Sequence, residues 1–198
     1  MQRCMQRCGS SSSGSSGSGS GSGCGSYNGF VDGEEDVELK WADVQTEYQR
    51  RSDLIGNLVK TVKGAADFEK STLEAVVNAR AKATSINIDP SNMTSEQLQQ
   101  FEAAQGQLSQ GIGRLLVSVE KYPELKATGN FRDLQVQLEG TENRISTSRK
   151  RFNEQATAFN KSVRRFPGTV FASVFGFSEK PQFQAQAGAA NAPDVNFD

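Results

Sequence analysis

The chain has 198 residues, with 22 basic and 23 acidic side chains and a formal charge of −1, so its overall charge does not favour nucleic acid. It contains no histidine, which removes the commonest general base, the usual activator of a nucleophile and the most frequent transition-metal ligand. No phosphate-binding glycine loop, dinucleotide fingerprint or calcium loop occurs, and the expectation is no enzyme, no cofactor and no metal.

Residues 1–26 repeat Met-Gln-Arg-Cys and continue as a Gly/Ser tract with almost nothing apolar to bury, which predicts a flexible, non-native head. All three cysteines, Cys4, Cys8 and Cys24, lie there, so the expected folding unit, residues 27–180, has no disulfide and no thiol nucleophile. A pair of cysteines also lacks the four ligands of a structural zinc site. Residues 181–198 are expected to be a mobile tail.

The first predicted helix starts near Asn28 or Asp32 and ends at Gly64. Its seam is Val37, Trp41, Val44, Tyr48, Arg51, Ile55, Leu58 and Val62, stepping alternately by four and three. Glu34, Glu35, Asp36 and Glu38 are expected to place negative charge on its positive end. A shorter second helix carries Phe68, Leu73, Val76, Val77 and small residues through Ala83, and stops in a loop around Asp89-Pro90. Thr94-Ser95-Glu96-Gln97 reads as a capping box that opens a third helix. The stripe of that helix is Phe101, Gln105, Leu108, Ile112, Leu115, Val119 and Tyr122, and Pro123 ends it.

The fourth helix is capped by Asn130, and Phe131, Leu138, Ile145, Phe152, Phe159 and Phe166 recur every seven residues. Leu134, Thr141, Ser148, Gln155 and Ser162 fill the alternate seam positions, and their polarity points to a role in specifying register. The expected fold is all-α: an antiparallel up-and-down four-helix bundle with two long and two shorter helices, plus a short C-terminal apolar segment. Equal rise along two antiparallel helices sets residue r of the first level with about residue 192 − r of the fourth. Arg51 then faces Thr141 and Glu142, and a guanidinium in an apolar seam needs such a carboxylate. The Arg51–Glu142 pair reads as a register-setting ion pair first, and as a ligand or proton site second.

Several segments together resemble one family. They include Trp41-Ala42-Asp43-Val44, Gln49-Arg50-Arg51-Ser52-Asp53-Leu54-Ile55, Glu120-Lys121-Tyr122-Pro123, Gly140-Thr141-Glu142-Asn143-Arg144-Ile145 and Arg165-Phe166-Pro167. In this order, over residues 27–184, they resemble the bacterial LemA family. The resemblance implies a helical-bundle domain held at the cell envelope by an N-terminal signal anchor or a lipidated cysteine, with no assigned activity. Two departures stand out: Gly56 occupies a position usually held by proline, and the apolar N-terminal segment is missing. This chain as given is therefore expected to be soluble.

Cys24-Gly25-Ser26 looks like the mature start of a lipoprotein, but no apolar signal region precedes Cys24, so an unmodified thiol is expected here. At the other end, Arg164 and Arg165 join a basic helix end to an apolar run containing Val170, Phe171, Val174 and Phe175. One reading has Arg164, Arg165, Phe171 and Phe175 meeting a membrane surface. The favoured one folds the apolar run back over the basal core around Trp41 and Phe159. Arg149-Lys150-Arg151 point in different directions on a helix, which describes a solvated surface with one paired arginine and not a nucleic-acid stripe. The function expected is an envelope-tethered structural or interaction module for an unknown protein partner. Lipid or small-ligand binding in a groove between helices is the alternative.

Overall fold

A computed structural model describes residues 22–64 and 68–184, with side chains from residue 27 onward. Every regular element among the described residues is a helix: α1 Ser22–Lys63, α2 Lys70–Ser85, α3 Ser95–Val119, α4 Pro123–Ala127, α5 Gly129–Arg164 and α6 Gly168–Phe175. The long elements, α1 with 42 residues and α5 with 36, extend about 63 and 54 Å at 1.5 Å per residue.

Helix α1 buries the whole four–three seam, from Val37 through Val62, Arg51 included. Against it α5 runs antiparallel. Asp36 meets Gln155, Trp41 meets Phe152, Glu47 meets Arg144 and Arg51 meets Glu142, all close to the 192 − r relation. Helices α2 and α3 form a second antiparallel pair, in which Ala83 meets Gln105 and Val76 lies against Gly111. Helix α3 lies alongside α1 in the same direction, where Trp41 and Tyr48 both pack on Phe101 and Arg51 reaches Gln105.

The start of α3 carries the full capping box: Gln97 N donates to Thr94 Oγ1 (3.2 Å) and Thr94 N to Gln97 Oε1 (3.0 Å). In the preceding loop Ser91 N donates to Asp89 Oδ1 at 3.1 Å, an Asx turn that tucks Ile88 and Met93 into the core. Hydrogen bonds, the largest from Asn92 and then Ser91, hold the Asp89 carboxyl below its usual range.

Several sequence expectations are corrected. Helix α1 begins at Ser22, so the end of the Gly/Ser head is helical and the acidic residues from Glu34 onward sit more than two turns inside the helix, away from its first turn. Pro123 does not simply end a helix. It opens α4, because proline at the first position needs no donor and supplies a helical φ. The cap of α5 is Thr128 and not Asn130.

Phe166 leaves the α5 seam and stands 88% exposed, since Pro167 forbids continuation of the helix. Towards that end the buried face of α5 shifts from Ser148 to Ala156 and Val163, one position beyond the expected Gln155 and Ser162. A straight helix turns once per 3.6 residues, so a strict seven-residue repeat drifts off its face. The expected boundary of a tail at residue 181 is also corrected. Lys180 and Phe183 are buried, and residues 185–198 lie outside the described residues.

Candidate functional site

The core divides into two apolar clusters with a polar layer between them. One holds Phe30, Trp41, Tyr48, Phe101, Phe152 and Phe159, the other Ile55, Leu58, Val76, Leu108, Leu115 and Leu138. At their junction lie the buried polar residues Arg51, Ser52, Gln105 and Thr141. The layer falls about a third of the way in from the end of α1 and from the start of α5, where α1, α2, α3 and α5 all contribute.

Arg51 is 2% exposed. Its Nη1 donates to Glu142 Oε1 at 2.9 Å and to Ser109 Oγ at 3.2 Å, and Nη2 donates to the side-chain oxygen of Gln105. The guanidinium carbon sits 5.0 Å from the Tyr48 ring centre. Only Nε finds no partner. A fully desolvated cation is thereby neutralised by a carboxylate whose side chain is 48% exposed. One charge is buried while the other remains hydrated.

Further links surround this clasp. Arg144 donates to Glu47 (3.0 Å) and Thr141 (2.8 Å), and Arg80 on α2 donates to the carbonyl and hydroxyl oxygens of Ser52 at 2.8 and 3.0 Å. Arg149 pairs with Glu102 on α3 and lies 4.4 Å from the Phe183 ring centre. It is thus a paired arginine within the basic run. Burial pushes the Tyr48 phenol upward against the opposing pull of Arg149 and Arg51, and burial likewise raises Glu102 despite Arg149.

A cavity of about 310 Å³ borders this layer, between Tyr48, Arg51, Glu102, Ser109, Glu142 and Arg149. A wider groove of about 900 Å³ opens on the opposite side between α1, α2 and α3, where Gln105 again forms part of the wall. No group of three or more His, Cys, Asp or Glu side chains among the described residues is arranged to hold a metal ion.

The other candidate residues gather at the pole where α1 begins and α5 ends. Cys24 lies in the first turns of α1, and its side chain falls outside the described residues. Helix α6 packs there: Phe175 contacts Tyr27 at 5.0 Å between ring centres, and Ala172 is buried. Phe171 is half-buried and Phe175 is 46% exposed, while Val170 and Val174 face outward. Arg164 is held by Glu179, with Nε to Oε1 at 2.7 Å, whereas Arg165 is exposed. No described helix is long and apolar enough to cross a membrane.

Much of the basal cover comes from residues outside the sequence-derived site. Ile88 and Met93 of the α2–α3 loop, Phe177 and Phe183 complete the cluster around Trp41 and Phe159. Lys180 is 3% exposed, donates to the carbonyl oxygens of Pro90 (3.3 Å) and Ser91 (2.9 Å), and pairs with Glu34. The one cue to this arrangement in the sequence is the seven-residue spacing of Asn153 and Asn160, which puts both on one side of α5.

The LemA family model matches residues 40–197. The chain belongs to the LemA family. Among curated relatives, magnetosome protein MamQ 2 of Paramagnetospirillum magneticum is 27% identical over 174 residues, covering 79% of this chain and 64% of that protein. Magnetosome protein MamQ of Magnetospirillum gryphiswaldense matches at 27% over 173 residues with the same coverage. Protein LemA of Metamycoplasma hominis is 24% identical over 142 residues, 72% of this chain and 61% of that protein. The chain thus spans less than two-thirds of the length of these relatives.

Proposed function

We propose that this LemA-family chain is a non-enzymatic structural or interaction module, tethered at the cell envelope in its native form, that presents a rigid helical rod to a protein partner. In this reading the four longer helices act as one up-and-down antiparallel bundle. The supporting observation is the buried polar layer: Arg51 ties α1 to α3 and α5 at once, and Ser52 ties α1 to α2 through Arg80. Polar groups committed to cross-helix bonds fix register and stiffness, and a stiff rod can display a face at constant geometry. That relatives carry the name magnetosome protein supports a place within a larger cellular structure.

Cross-linking mass spectrometry on the natively anchored protein tests this. A recurrent set of links from one contiguous face to a single protein species is expected. Links only within the chain and to abundant bystanders would contradict it.

A second reading rests on the pole. Phe166, Val170 and Val174 are 88%, 55% and 72% exposed and follow one another at four-residue spacing, a surface suited to a lipid interface. Against it stands the engagement of Arg164 by Glu179, which removes one of the two arginines from headgroup contact. Flotation with anionic vesicles separates the two readings: co-flotation lost in Val170→Ser/Val174→Ser supports lipid contact, and failure to float rules it out.

A further inference from the structure

After α6 the chain turns at Gly176, whose φ is +81°, and returns along α5 without regular structure as residues 177–184. It is bound there as a peptide ligand would be. Asn160 Nδ2 donates to the Lys180 carbonyl and Asn160 Oδ1 accepts from the Lys180 N–H, both at 2.8 Å. Asn153 repeats the arrangement on Phe183, with both bonds at 2.9 Å. Each carboxamide therefore satisfies one residue's donor and acceptor together, as a neighbouring β-strand would.

The spacing fixes the conformation of the bound segment. Seven residues of helix separate the two asparagines by about 10.5 Å of rise, and three residues of chain span that length only when nearly fully extended. The backbone bonds read no particular sequence; Glu179 and Gln182 add surface side-chain bonds with Arg164 and Thr157, and selectivity falls mainly to two buried side-chain sockets. Lys180 enters one made by Glu34 and the carbonyls of Pro90 and Ser91. Phe183 enters the other, against Trp41 and Phe152 and under the Arg149 guanidinium. Main-chain bonds for affinity and spaced pockets for specificity are the means by which proteins capture extended peptides.

We infer that the Asn153/Asn160 face of α5 is a peptide-binding groove, closed in cis by the chain's own Lys180–Phe183, whose partner is an extended segment of another protein with a basic residue three positions ahead of a phenylalanine. This rests on reading the chain as an interaction module and names the chemistry of the partner. The socket around Lys180 is acidic and lined with carbonyls, so it matches a cation, and the Trp41 socket matches an aromatic ring. The tethered segment acts at an effective concentration of about millimolar, so a free peptide competes poorly until that segment is loosened.

The test uses the full chain and a fluorescein-labelled octapeptide, Phe-Ser-Glu-Lys-Pro-Gln-Phe-Gln, followed by fluorescence anisotropy. The Phe183→Ala chain, with its own aromatic anchor removed, is expected to bind this probe about tenfold or more tighter than the unaltered chain. Replacing the probe's phenylalanine or lysine with alanine, or adding Asn153→Ala/Asn160→Ala to the chain, is expected to reverse that gain. The Lys180→Ala chain serves as a second loosened form should Phe183→Ala not retain its helical circular dichroism. Selection of random peptides on the loosened chain is expected to enrich a basic residue three positions before an aromatic.

Absence of probe binding to a folded, loosened chain overturns the inference, as does binding indifferent to the probe's phenylalanine or enrichment of unrelated patterns. If such a failure coincides with reproducible protein cross-links in the native envelope, the groove is refuted and the interaction module is not.

Discussion

Arg51 on α1 and Glu142 on α5 meet at 2.9 Å with opposite exposures: the guanidinium side chain is 3% accessible and the carboxylate side chain 48%. The two ends of this pair therefore carry different energetic weight. Arg51→Ala takes the buried charge away, leaves Glu142 half-hydrated and strands the Gln105 amide, so a loss of about 1–3 kcal/mol is expected in urea denaturation. Glu142→Gln leaves the desolvated guanidinium without its countercharge, with only the neutral Gln105 and Ser109 as partners, so about 3–5 kcal/mol is expected. The combination Arg51→Met/Gln105→Leu removes both buried partners together and should recover most of the alanine loss. Equal losses for Arg51→Ala and Glu142→Gln would contradict this assignment.

Tyr48 links the layer to alkaline pH. Burial raises its phenol above the ordinary 10.0, outweighing Arg149 and Arg51. Between the unfolded and folded values the native state keeps a proton that the unfolded state has released. This contribution is complete below about pH 10 and disappears as pH rises through the folded value. Urea midpoints of the unaltered chain should therefore fall more steeply above about pH 10 than those of Tyr48→Phe. Parallel curves would contradict it.

Phe183 covers Trp41, the chain's single tryptophan, with ring centres 6.0 Å apart. Phe183→Ala should uncover one side of the indole and shift its emission to longer wavelength. Amide exchange at Lys180 and Phe183, whose N–H groups donate to Asn160 and Asn153, should accelerate while the α1 seam stays protected. Unchanged emission would mean that residues 177–184 do not cover the core.

Two glycines give opposite predictions. A Cβ on Gly168 would lie 2.3 Å from the Ser162 carbonyl oxygen and 3.3 Å from the Phe30 ring, so Gly168→Ala should cost about 1–3 kcal/mol. At Gly56, inside α1, the nearest atoms are the flexible end of Arg80 at 3.4 Å, and Gly56→Ala should gain up to about 1 kcal/mol of helix propensity. Thermal unfolding by circular dichroism reads both signs.

The all-helical fold was legible because seam spacing is a local property. Eight successive α1 positions from Val37 to Val62 follow one pattern, and all eight are buried. Equal rise then set the level at which Arg51 and Glu142 stand, since antiparallel helices of similar length leave one free parameter, their register. What local patterns could not carry is the basal cover. Lys180, Phe183, Ile88 and Met93 lie in segments without periodicity, and the Asn153/Asn160 spacing on α5 is the one local cue to an extended segment bound there. The exit of Phe166 from its heptad shows the other limit: a seven-residue repeat continues on paper past a proline that stops the helix.

Register between α1 and α5 is the claim on which the rod, the clasp and the pole depend. Asp36 Oδ2 accepts from Gln155 Nε2 at 3.1 Å, while Ser162 lies one heptad further along α5. In a chain with Cys4, Cys8 and Cys24 replaced by serine, Asp36→Cys/Gln155→Cys should form an intramolecular disulfide rapidly under mild oxidation, and Asp36→Cys/Ser162→Cys should not. A disulfide that forms as readily from position 36 to position 162 as to position 155 would contradict the account.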